Sequence, residues 1–214
     1  MKAYVITIMD MQESVQMAER CIKSYKANAT GDCEMFGAYT PKHNPVQIAK
    51  DLKIPTAKFQ EKYSRFENCL SAFLSHRALW QKCVDDNEEI IIFEHDAIVK
   101  SPIGPLNYRG LISLGHPSYG KWNTPNTLGT NPLTSKKYLP GAHAYAIKPR
   151  AAEILLHTAV FEAAPTDIYL NINLFPFIQE LYPWPVYADD SFTTIQQVEG
   201  CLAKHNYNER YEIL

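Results

Sequence analysis

The stretch EEIIIFEHDAIV, residues 88–99, runs three consecutive isoleucines and a phenylalanine straight into Glu94, His95 and Asp96. A segment apolar on both faces is what a central parallel strand requires, because helices cover both its sides. Its charged end then lies at the carboxyl end of a strand, where open α/β sheets gather ligands near a switch in strand order. Two carboxylates at i and i+2, where the chain turns, can present oxygens to one hard cation. Mn²⁺ or Mg²⁺ accepts one or two carboxylates and keeps its other positions for phosphate oxygens and water. His95 is either a further ligand or a side chain pointing into the opposite layer. The alternative for the whole tip is a solvated strand end that happens to be acidic.

The flanking sequence supplies the layers. Upstream, Phe66, Leu70, Phe73, Trp80 and Val84 recur at helical spacing. Residues 2–8 read as a strand, Met11, Val15, Ala18, Ile22 and Tyr25 as the apolar stripe of a helix, and CEMFGAY (33–39) as a second short strand; a polar helix falls near 45–52. Downstream, GLISLG (110–115) is another short strand. The Pro-, Gly-, Asn- and Thr-rich residues 116–137 read as a long loop or lid, a length that is seldom idle in a compact domain. Pro149 suits the first turn of a helix carrying Ala151, Ile154 and Leu155. DIYLNINL (167–174) alternates like a strand but follows a Thr166-Asp167 pair that suits a helix cap. WPVYA (184–188) is a last strand before an acidic, polar tail. Strand, helix, strand, helix, strand predicts an α/β fold: a three-layer α/β/α sandwich with a mostly parallel central sheet.

Bulk properties bound the function. The chain has 214 residues, 46% hydrophobic and 21% charged, enough for a full core. No apolar run approaches the roughly 20 residues of a membrane helix. The opening MKAYVITIMD breaks at Asp10, too early for a signal peptide, and five cysteines without a CxxC pair suggest reduced thiols in a cytoplasm. Residues 97–150 contain Lys100, Arg109, Lys121, Lys136, Lys137, Lys148 and Arg150 but no acid, so this segment is +7 in a chain whose net charge is −2. Such a block marks either an anionic partner or a solvated surface.

FENCLSAFLSHRALWQKCVDDNEEIIIFEHDAIV (66–99) resembles the central signature of glycosyltransferase family 25, the lipopolysaccharide and collagen type sugar transferases. The resemblance rests on Ser75-His76, Leu79-Trp80 and Glu94-His95-Asp96, with His95 in place of the family's middle acid. Looser likenesses follow at GLISLG, GAHAYAIKPRAAEILL, PTDIYL and VYADDSFTTIQQ. The resemblance implies a GT-A fold over one domain, 1–214, with a nucleotide-sugar half at 1–99, an acceptor half at 100–197 and a tail at 198–214. It also implies a nucleotide-sugar donor, a divalent cation (Mn²⁺ or Mg²⁺) on the diphosphate at Glu94, Asp96 and His95, and inversion at the anomeric carbon.

Within that expectation Asp167 matches the Pro-x-Asp element and is the first candidate for general base, with a helix cap as its other reading. Asp189 and Asp190 come next. Ser75, His76, His143, Lys148 and Gln196 are candidate donor contacts, although Ser75, His76 and His143 equally suit packing and hydrogen-bonded core positions. Trp80 reads as core. Ser75-His76 with Asp96 does not make a hydrolase, since no GxSxG elbow is present. The expected acceptor is a glycan or lipopolysaccharide. Tyr108, Tyr119, Trp122 and Tyr138, interleaved with the basic block, leave open a modified base in DNA. A non-catalytic nucleotide-sugar or glycan-binding module is the competing class. A nucleotidyltransferase comes third, without a Gly-rich phosphate loop to support it.

Overall fold

The computed structural model describes residues 1–60, 64–117, 121–139, 142–189 and 194–195. The elements run β1 (Lys2–Thr7), α1 (Gln12–Asn28), β2 (Cys33–Gly37), α2 (Pro45–Asp51), α3 (Phe66–Asp86), β3 (Ile90–Glu94), β4 (Ala97–Val99), β5 (Leu111–Ser113), β6 (Gly129–Pro132), β7 (Ala144–Ile147), α4 (Pro149–Glu162), α5 (Thr166–Tyr169), β8 (Ile178–Tyr182) and β9 (Val186–Ala188). Seven strands form one sheet in the order β2-β1-β3-β7-β5-β8-β6, and β4 pairs with β9 in a small second sheet. β4 and β9 pair antiparallel; in the large sheet β7 is antiparallel to both β3 and β5, and β6 is antiparallel to β8, while its other pairings are parallel. Five strands therefore point one way and two are reversed.

The isoleucine run explains the layering. Strand side chains alternate between faces, and in β3 all four leading residues, Ile90, Ile91, Ile92 and Phe93, are buried. Ile90 and Ile92 join Tyr4, Leu70, Phe73, Trp80, Tyr145, Ile147 and Leu155 under α3 and α4. Ile91 and Phe93 join Ala3, Val5, Ala18, Cys21, Tyr25 and Ala146 under α1. Two cores with a sheet between them make the three-layer α/β/α sandwich. Burying each Ile side chain stabilises the fold by about 1.5–3 kcal/mol.

Two elements depart from the sequence reading, and the segment left open between strand and helix resolves. β6 lies inside the expected 116–137 loop, where it edges the sheet against β8. DIYLNINL is not a strand: Thr166–Tyr169 form one helical turn, and Phe175 N–H then closes onto the Asn171 carbonyl. The interval between α5 and β9 contains β8, whose Glu180 is fully buried. Its carboxylate accepts hydrogen bonds from Thr134 N–H (2.7 Å), Thr134 Oγ1 (3.1 Å), Ser135 N–H (2.9 Å) and Trp184 Nε1 (3.1 Å), clasping the end of the former loop. No helix among the described residues is long and apolar enough to cross a membrane.

Candidate active site

Glu94 ends β3, and its side chain continues the Ile90–Ile92 alternation, so it faces the α3 layer. There His76 Nε2, on α3, meets Glu94 Oε1 at 3.1 Å. Behind it, His76 Nδ1 lies 2.9 Å from the Tyr145 hydroxyl, and Trp80 Nε1 donates to that same hydroxyl at 2.8 Å. His76 and Trp80 stand four residues apart, one turn of helix, so both project onto the same strand neighbour. His76 is 1% exposed, whereas the Glu94 side chain keeps 34% of its surface in solvent. The chain of contacts thus begins in the core and surfaces at the carboxylate.

His143 completes the cluster from the reversed strand. The Glu94 N–H donates to the His143 carbonyl at 3.0 Å, so the two residues face each other across antiparallel strands and share a face. The buried His143 ring lies against Gly115, where an added Cβ would fall 2.5 Å from Nε2. Only glycine admits the imidazole there. Burial alone would raise the Glu94 pKa, but the His76 hydrogen bond and the His76, His143 and His95 rings outweigh it and hold the carboxyl below its ordinary value.

The rest of the tip diverges. A two-residue turn, His95–Asp96, carries the chain into β4. His95 Nδ1 pairs with Ser14 Oγ of α1 at 2.7 Å, and Ser14 Oγ also accepts the Ile8 N–H at 2.9 Å. His95 therefore points into the opposite layer, where burial lowers its pKa. Asp96, half-buried, accepts the Asp189 N–H on its carbonyl at 2.9 Å, and Arg20 of α1 donates to the Asp189 carboxylate. The Asp96 carboxylate is near enough to the buried Cys21 of α1 to help raise its thiol pKa, whereas Glu94 faces α3, so the two acids lie toward different layers. Among the described residues no three His, Cys, Asp or Glu side chains come together as a cation site. The donor set does not fit a protein-built metal shell; it fits at most one carboxylate, Asp96, meeting a cation that substrate phosphates and water otherwise ligate.

The other sequence candidates scatter. Ser75 Oγ donates to the Ser71 carbonyl and accepts the Tyr39 N–H, tying α3 to the chain after β2. Lys148 caps the start of α4 and sits over the Tyr108 ring at the other end of β3 from Glu94. Asp167 lies in the first turn of α5, its Oδ1 accepting the Ile168 N–H at 3.0 Å. Tyr169 of that helix stacks on Trp80 and donates to the Leu155 carbonyl, which places Asp167 on the Glu94 side of the sheet. Asp189 lies on the α1 side. Asp190 and Gln196 fall outside the described residues, as do Tyr119 and the expected tail.

The basic block does not make one face. Lys136 is buried beneath the surface over Tyr138, Lys148 and the buried Tyr108 lie at the far end of the sheet, and Arg150 reaches toward Glu153 on α4. A polyanion needs contiguous cations, so a DNA acceptor has no support here.

Tyr145, Arg20 and Gly115 went unassigned in the sequence. The alternation of the Ala144–Ile147 segment could have placed Tyr145 opposite Ile92; nothing local marks Arg20 or Gly115. A family model described as glycosyltransferase family 25 (LPS biosynthesis protein) matches residues 1–107. No curated protein matches the chain.

Proposed function

The chain belongs to glycosyltransferase family 25 and is a sugar transferase, and from that premise we propose an inverting transfer from a nucleotide-sugar to a hydroxyl of a glycan or lipopolysaccharide acceptor. The observation that carries the reading is the part-exposed Glu94 carboxylate at the carboxyl end of β3, held by buried His76. Both residues lie inside the matched half. An ionised carboxylate with a depressed pKa is a poor proton acceptor near neutrality. Glu94 therefore orients donor hydroxyls by accepting hydrogen bonds.

Transfer itself needs a base across the sugar. The acceptor oxygen attacks the anomeric carbon, the bond to the diphosphate oxygen breaks, and the acceptor proton passes to a carboxylate. We assign that role to Asp167, which shares the Glu94 side of the sheet. Asp189 is held by Arg20 on the other side and is assigned to fixing the β4–β9 turn. Asp96 would be the protein carboxylate for a divalent cation (Mn²⁺ or Mg²⁺) carried by the donor, and the chemistry such an ion would supply is charge neutralisation of the leaving diphosphate. His95 points toward Ser14, so the residue that departs from the family's acid triplet is directed away from Glu94. That placement weakens the case for a non-catalytic module.

The test is nucleoside diphosphate release from a panel of nucleotide-sugars, with and without lipopolysaccharide core oligosaccharide, in Mn²⁺ and in chelator. Acceptor-dependent release, abolished in Asp167→Asn and Glu94→Gln, is expected. Donor binding without any release would return the protein to the binding-module class.

A further inference from the structure

The contacts behind Glu94 have one assignment of protons that gives every hydrogen a partner. An indole N–H donates and never accepts, so Trp80 Nε1–H fixes the Tyr145 oxygen as its acceptor at 2.8 Å. The single Tyr145 proton then has one hydrogen-bonding partner among the described residues, His76 Nδ1 at 2.9 Å. With Nδ1 accepting, the ring proton belongs on Nε2, which meets Glu94 Oε1 at 3.1 Å. Every bond runs the same way, from the core outward, and ends on a carboxylate that accepts only. All three supporting side chains are at most 1% exposed, so the Trp80–Tyr145 and Tyr145–His76 links are shielded from water.

The ring packing defends the same arrangement. The His76 and Tyr145 rings lie nearly parallel, 5.8 Å apart with 19° between planes, and Trp80 is wedged between Phe73 and Tyr169. A flipped imidazole would set a carbon against the carboxylate, and the other tautomer would set an unprotonated Nε2 there.

We propose that Tyr145, anchored by Trp80, is a positioning residue: it holds His76 as the Nε2–H tautomer and thereby aims the Glu94 carboxylate at the donor sugar. Of the four linked side chains, Trp80, Tyr145, His76 and Glu94, the carboxylate is the one that meets substrate. The proposal rests on the sugar-transfer reading for its consequence in turnover, but the tautomer itself is independent of any substrate. At metal sites, removing the hydrogen-bond partner of a ligating histidine commonly changes affinity or activity 10–100-fold, and an effect of that order is expected for the partner of His76.

The experiment uses the full chain without ligand, labelled with ¹⁵N-histidine. Long-range ¹H–¹⁵N correlation assigns the His76 ring, with His76→Gln identifying the signal. The expected result is a protonated Nε2 and bare Nδ1 in the wild type, and a mixture of tautomers in Tyr145→Phe. With the nucleotide-sugar panel as donors, Tyr145→Phe lowers kcat about 10–100-fold and changes donor KM less. His76→Gln, whose amide can donate to Glu94 and accept from Tyr145, retains more activity than His76→Leu. A wild-type ring protonated on Nδ1 overturns the proposal, even if no variant folds. So does a Tyr145→Phe protein that keeps both the tautomer and kcat. Failure of every donor with the tautomer as expected would instead sink the transfer reading alone.

Discussion

Replacing Glu180 with alanine should be among the most damaging single changes in the second half of the chain. Its carboxylate receives four hydrogen bonds with no exposure to solvent. Thr134 is exposed, so water can replace its two contacts once the carboxylate is gone. Ser135 is fully buried and Trp184 nearly so, leaving the Ser135 N–H and the indole N–H without acceptors. Each orphaned buried donor costs about 1–3 kcal/mol, which gives a loss of roughly 2–6 kcal/mol. A domain stable by about 5–15 kcal/mol loses a large part of its margin. Urea unfolding followed by tryptophan fluorescence measures the loss. A double-mutant cycle with Trp184→Phe isolates the indole contact, and the two changes should be less than additive. A loss below about 0.5 kcal/mol, the range of ordinary surface substitutions, would refute the clasp.

Ile92→Ala removes a fully buried chain from the centre of the sheet and should cost about 2–5 kcal/mol in the same unfolding assay. Asp189→Asn breaks a part-exposed pair with Arg20 and should cost at most about 1 kcal/mol, leaving kcat within a few-fold of wild type. Burial pushes the Cys33 and Cys83 thiols up to about 12, so they should react slowly with a thiol reagent in the native protein and quickly in urea. The sign of the linked pH effect follows. The stability contributed by these protonated thiols is complete below the unfolded value near pH 8.5 and drains away as pH climbs toward their folded values. Stability should therefore fall above about pH 9, and more gently in Cys33→Ala/Cys83→Ala.

The sheet centre and the site differ in how far the sequence reveals them. Ile90 to Phe93 announce a strand buried on two sides because the run is β-branched and too short for a buried helix. The spacing of Phe66, Leu70, Phe73 and Trp80 likewise exposes α3. β6 stays hidden because an edge strand pairs on one side only, so Gly129–Pro132 shows no apolar alternation. β8 is masked by Glu180, a charge placed where the pattern demands an apolar residue; its four donors come from Thr134, Ser135 and Trp184, which no local spacing links to it. At the tip, the residue types suggested a shared cation. Side-chain direction depends instead on the two-residue turn, which parts Glu94 from Asp96, and on Ser14, eighty-one residues away, which captures His95. Those are long-range facts, and a linear pattern does not carry them.

The reversed strand β7 has a consequence for how the protein can be dissected. It covers β3 along Ile90–Phe93 and brings His143 beside Glu94, yet it lies beyond residue 107, where the family match stops. A fragment ending there would leave the isoleucine ribbon with a bare row of amides and carbonyls, an invitation to edge-to-edge aggregation. Chimeras joining this chain to a sister enzyme should therefore exchange sequence within 121–139 and leave 142–147 with the host. Swapped at residue 107 itself, the foreign portion would inherit the task of covering the Ile90–Phe93 edge and the Glu94 tip, which it was not shaped to meet.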